Sequence, residues 1–140
     1  QPSFYSPISS YSIESDASAA SYFFAAPAIC GGKVRVENIS RHSIQGDIAF
    51  LDILQQMGCT IMEGMYSIEV SGAPPLRGVD VDMRDIPDTA QTLAVIAPFA
   101  SSPTRIRGIA SARVKESDRV HATCTELTRL GVRVEARVAF

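Results

Sequence analysis

The 140-residue chain repeats itself, which restricts it to folds assembled from copies of one small unit. Val34-Arg35-Val36-Glu37-Asn38-Ile39 and Thr104-Arg105-Ile106-Arg107-Gly108-Ile109 share the alternation of a half-buried strand at an offset of 70 residues. Ile44 matches Val114 at that offset, and Met57-Gly58-Cys59-Thr60-Ile61 matches Leu130-Gly131-Val132-Arg133-Val134 at 73. The second copy is thus three residues longer between these landmarks. The extra length falls where Arg113-Val114-Lys115-Glu116-Ser117-Asp118-Arg119 crowds five ionisable side chains into seven residues.

Working outward from the strands predicts the remaining elements. Asp16 and Asp88 each stand before apolar, helix-prone runs and read as N-caps. Those runs contain Pro27 and Pro98, and an interior proline costs about 3 kcal/mol, so each helix should kink or end nearby. The first, 17–29, has no polar face and is expected to be buried, with Tyr22-Phe23-Phe24 in the core. A second helix places Ile44, Ile48, Leu51, Leu54 and Met57 on one side. Its counterpart places Val120, Cys124, Leu127 and Leu130 likewise, and Gly58 and Gly131 follow as helix-ending residues. Strands are expected at 60–62, 66–70, 79–83 and 132–135. Arg105 and Arg107 should face one side of their strand, towards solvent or towards an anion. The fold class is α+β, with helices on one face of small sheets. Residues 1–10, with two prolines and four serines, read as a loop or linker; 11–75 form a first unit and 76–140 a second, jointed at Gly72-Ala73-Pro74-Pro75. The apolar end Val138-Ala139-Phe140 suggests a further strand and a piece of a longer polypeptide.

Composition excludes several classes. With 46% hydrophobic and 20% charged residues the chain is globular, and no apolar run approaches the roughly 20 residues that span a bilayer. A pI near 5.6 with net charge −2 gives no nucleic-acid footprint. The charge is uneven, however: residues 1–70 hold three Lys and Arg against seven Asp and Glu, whereas 71–140 hold ten against eight. That distribution fits a local anion site in the second copy. Cys30, Cys59 and Cys124 form no metal-ligand or disulfide pattern, and neither His42 nor His121 falls at ligand spacing with another donor. Buried cysteines in a reducing, cytoplasmic compartment are expected.

The cluster at 113–119 lies at a strand-to-helix corner, where backbone N–H groups are free to meet an anion. Lys115 and Arg119, four apart, would project from one side of the helix start, with Glu116 supplying an acid or base beside them. The corresponding first-copy residues, Gln45-Gly46-Asp47, include no cation. They read as structural support, and Asp16 as a cap alone.

Taken together, Ser15-Asp16-Ala17-Ser18, Ile86-Pro87-Asp88-Thr89-Ala90 and the Arg-Val-Lys-Glu-Ser-Asp-Arg string make the chain similar to the 5-enolpyruvylshikimate-3-phosphate synthases, from about Tyr11 to Glu135. The resemblance implies a place in the central part of that family's second domain, as about two βαβαββ-type units of an inside-out barrel. It also implies transfer of the enolpyruvyl group of phosphoenolpyruvate to the 5-hydroxyl of shikimate 3-phosphate, with no metal and no organic cofactor. On this basis Asp88 contacts the ring hydroxyls and takes the proton of the attacking hydroxyl, and Lys115 contacts shikimate 3-phosphate and takes part in proton transfer. Glu116 protonates the enol carbon, and Arg119 binds the anionic end of phosphoenolpyruvate. Many members carry Asn where this chain has Ser111. The family's first domain supplies the rest of the site, so the chain alone is expected to be inactive, its partners being the two substrates and the remainder of the enzyme. Two other readings stand beside it. One is a relative acting on UDP-N-acetylglucosamine, which lacks the Arg-Val-Lys-Glu-Ser-Asp-Arg string; the other is a non-catalytic module that binds an anion or a protein.

Overall fold

Asp16 starts the first helix as the sequence predicts: its carboxylate accepts the Ala19 N–H at 3.0 Å, capping α1 (Ala17–Cys30). The computed structural model describes residues 4, 6–72 and 74–137; the expected strand at 138–140 and joint residue Ala73 lie outside them. Pro27 is accommodated inside α1, which ends three residues later at Cys30, with Gly31 as its cap. Burial of α1 is one-sided. Ala17, Ala20, Phe24, Ala25 and Ala28 are buried, while Tyr22 and Phe23 are 64% and 61% exposed. The expectation of an all-round buried helix fails because the described residues cover only the side of α1 that meets the sheet and α3.

Beyond α1, strand β1 (Gly32–Glu37) pairs antiparallel with β3 (Ser67–Gly72), which also pairs antiparallel with β2 (Thr60–Glu63). Strand order is β1-β3-β2. On β3, Ile68 and Val70 face the core while Glu69, on the other side, meets Lys33 and Arg35 at 3.7 and 3.2 Å. Between β1 and β2 lie a short 3₁₀ turn (Gly46–Ala49) and α2 (Phe50–Met57), ended by Gly58 at φ 110°. Leu51, Leu54 and Met57 are buried as expected, but Ile44 is 88% exposed. The helical run starts only after Gln45, whose N–H is taken by the Ser43 hydroxyl, so Ile44 stays in the preceding loop.

The second half opens with β4 (Asp80–Asp82), parallel to β5 (Arg105–Arg107). The crossover runs through a 3₁₀ turn (Pro87–Thr89), α3 (Ala90–Ile96) and another 3₁₀ turn (Ala97–Phe99) that takes up Pro98. α3 packs on α1, and in that apolar contact the hydroxyls of Ser21 and Thr92, both buried, meet at 3.0 Å. A 3₁₀ turn (Ala110–Arg113) then leads to α4 (Arg119–Arg129), which rests on α3. Of the four apolar positions expected to cover a sheet, only Leu127 is buried, and Leu130 is 79% exposed. Residues 132–135 form no strand. β2 has β3 as its partner, whereas no described strand pairs with 132–135. Cys59 is buried as expected, whereas Cys30 is exposed at the end of α1 and Cys124 lies in between. No described helix is long and apolar enough to cross a membrane.

Candidate active site

Asp88 does not cap a helix. Pro87 sets the helical backbone one residue earlier, so Asp88 lies inside the 3₁₀ turn that runs on into α3, and its carboxylate makes no cap bond. The turn is anchored by fully buried Thr89, whose N–H and hydroxyl both donate to the Ile86 carbonyl, at 3.2 and 3.0 Å. Asp88 is therefore free to face cations. Its Oδ1 accepts from Arg119 NH1 at 2.8 Å and lies 3.3 Å from Lys115 Nζ.

Lys115 and Arg119 meet there from a bend and from a helix start respectively, which corrects the expectation that both project from one helix. α4 begins only at Arg119, and Lys115 and Glu116 sit in the bend before it. The start is fixed by Asp118, whose Oδ1 accepts the His121 N–H at 2.9 Å. That cap escaped the sequence reading because Asp118 stood within the charge cluster, although an Asp two residues before apolar Val120 is itself a cap signal. The other carboxylate oxygen, Oδ2, accepts from Arg113 NH1 at 3.2 Å.

Arg119 holds two carboxylates at once. Its Nε and NH2 donate to the two oxygens of Glu116, each at 2.8 Å, while NH1 holds Asp88. Bonding to Arg119 keeps the Glu116 carboxyl below its usual range and raises the already high pKa of the guanidinium. All four side chains predicted for the site are thus brought together, two cations and two carboxylates, with Arg119 the most sheltered and Glu116 the most exposed. Ser111 lies exposed in the 3₁₀ turn before the cluster. Arg105 and Arg107 do not join it: both reach Asp80 across the parallel strands, at 3.9 and 2.6 Å.

The first copy builds its corner differently. Gln45 accepts the Ala17 N–H and donates to the Ser15 carbonyl, each at 2.8 Å, and the Ser18 hydroxyl donates to Asp47. In both copies, then, the corner after a strand reaches the start of the preceding helix, through hydrogen bonds that involve no cationic side chain in the first and through ion pairs in the second.

The sequence profile of the family described as EPSP synthase (3-phosphoshikimate 1-carboxyvinyltransferase) matches residues 2–139. The chain belongs to that family. It is 56% identical over 125 residues to the 3-phosphoshikimate 1-carboxyvinyltransferase of Nostoc punctiforme, covering 89% of this chain and 29% of that protein. With the enzyme of the same name from Aeromonas salmonicida it shares 58% identity over 123 residues, covering 88% and 28%. The solved structure of EPSP synthase from Acinetobacter baumannii superposes with a TM-score of 0.69 at 28% identity, over 83% of this chain and 28% of that one. The chain therefore spans less than a third of the length of these relatives, and its α+β architecture is that of EPSP synthase.

Proposed function

We propose that this chain supplies one wall of an active site that transfers the enolpyruvyl group of phosphoenolpyruvate to the 5-hydroxyl of shikimate 3-phosphate. The observation that carries the reading is the convergence of Asp88, Lys115, Glu116 and Arg119 from two separate segments into one ion-paired group. Addition needs a base at the hydroxyl, an acid at the methylene and cations for the anionic substrates. Asp88 takes the hydroxyl proton as the oxygen bonds to C2 of phosphoenolpyruvate, and Glu116 gives a proton to C3, forming a tetrahedral adduct. Arg119 holds the anionic end of phosphoenolpyruvate, and Lys115 holds shikimate 3-phosphate. Loss of a methyl proton with cleavage of the C2–O bond then releases phosphate, and Lys115 takes part in the proton transfers. In this reading 11–75 and 76–140 are two repeat units, the second of which carries the chemistry.

The test is a chimera in which this segment replaces the matching 125 residues of the Nostoc punctiforme enzyme. Phosphate release dependent on both substrates is expected, and Lys115→Ala should lower kcat by about 100-fold or more. A chimera that turns over equally well with Lys115→Ala or Glu116→Gln would remove the reading in favour of a non-catalytic module.

A further inference from the structure

The Asp118 carboxylate does two tasks, one with each oxygen. Oδ1 caps α4 through the His121 N–H, and Oδ2 binds Arg113 NH1 at the end of the preceding 3₁₀ turn. Between the two ends of this clasp lie residues 114–117, which include Lys115 and Glu116, and Arg119 follows directly. The clasp is fixed at both ends: Ala112, next to Arg113, is buried, and Asp118 is held by the helix start. The His121 N–H, with Arg113 beside it, keeps the Asp118 carboxyl below its usual range. A half-exposed ion pair commonly contributes little because two long side chains must be ordered to form it. Here one partner is short and already oriented by its cap, which lessens that entropic loss.

Comparison of the copies separates this clasp from the architecture. At the offset of 70, Arg113 corresponds to Ser43, which has no guanidinium to offer; the first-copy corner closes through Ser43 to the Gln45 N–H and through Gln45 to the start of α1. Arg41, earlier in the first-copy corner, pairs with Asp52 of α2 and Glu63 of β2, but 43–47 themselves close without an ion pair; the second copy acquires one across 113–118, where Lys115 and Arg119 are aimed at Asp88. We propose that Arg113 and Asp118 are positioning residues, a clasp that holds the 114–117 bend so that Lys115 reaches Asp88, Glu116 reaches Arg119, and both face the reacting atoms. The proposal rests on the transferase reading above and adds two residues to it.

Asparagine keeps an acceptor for the His121 N–H but removes the charge facing Arg113, so Asp118→Asn breaks the clasp and spares the cap. In the chimera, Arg113→Ala and Asp118→Asn should each lower kcat by about 10- to 100-fold, the range expected from misplacing catalytic groups by about 1 Å. KM for phosphoenolpyruvate, whose anionic end Arg119 holds from outside the bend, should change by less than about 3-fold, the double variant should be no worse than the weaker single one, and Arg113→Lys should recover most of the loss. Unchanged kcat, or losses that multiply in the double variant, would overturn the clasp while leaving the transferase reading intact. A chimera whose activity ignores Lys115→Ala overturns the transferase reading instead. A second measurement does not depend on turnover: in the 140-residue chain, Asp118→Asn should lower the NMR order parameters of 114–117 and leave 42–47 unchanged. If 114–117 stay as ordered as in the parent chain, the proposal fails.

Discussion

Arg119 sets the protonation of its neighbour. Because it holds Glu116 by two 2.8 Å bonds, the carboxyl stays below its ordinary value of 4.5, whereas an acid that protonates a methylene must carry a proton at working pH. An anion that draws Arg119 away would lift that restraint and place a like charge nearby, raising the Glu116 pKa at the moment the proton is needed. Arg119→Gln should therefore shift the carboxyl-carbon NMR titration of Glu116 upward without any ligand; an unchanged midpoint would refute the coupling. The stability consequence follows from the sign of the shift. A carboxyl with a depressed folded-state pKa contributes above its unfolded value and loses that contribution as pH falls through the folded one. Thermal melts should accordingly show the parent chain losing more stability than Arg119→Gln as pH is lowered from about 4.5, the ordinary value of the group. At this scale the sequence identified which residues gather but not how they bond. The spacing of Asp88 from the apolar run suits a cap, and only the backbone imposed by Pro87 shows it inside the turn.

Among the elements, those whose residues bond to themselves were legible and those that need a distant partner were not. The limits of α1 and α2 follow from Asp16 and Gly58, local signals acting within a few residues. The alternation at 132–135 looks like that of β2, yet a strand forms only against a neighbour, and none is described there. Hydrophobic periodicity also failed to separate 3₁₀ turns from α-helix, since spacings of three and four serve both, and Ile44 was drawn into a helix it precedes. Packing between elements yields its own prediction at Gly72 on β3. A Cβ there would lie 1.7 Å from the Pro27 carbonyl oxygen of α1, a rigid backbone atom. Gly72→Ala should force helix and strand apart and destabilise the chain by about 1–3 kcal/mol, read as a lower urea midpoint. A midpoint within error of the parent would show that α1 can withdraw freely.

For the whole molecule, the core runs unbroken from Phe24 and Leu54 to Leu93 and Ile96, so the two halves share one interior. Leu93→Ala, at a fully buried position, should cost about 2–5 kcal/mol and lower a single cooperative transition; two separate transitions would contradict a shared core. The repeat pointed to paired halves because its offset is visible in the strand pattern, while the exposed side of α1 could not be foreseen from an apolar sequence that would suit burial on every side. With less than a third of its relatives' length, the isolated chain should release no phosphate from the two substrates, and sustained turnover in a coupled assay would contradict that expectation. The Ser21 and Thr92 hydroxyls bear on the site from a distance. Two apolar helices can slide past each other by a turn, about 5.4 Å, with little change in buried area. A hydrogen bond across their interface acts as an index mark that permits one axial setting. Asp88 lies at the leading end of α3, so its height above Lys115 and Arg119 is gauged by a hydroxyl on α1, at the far end of the chain's sequence from the cations it meets.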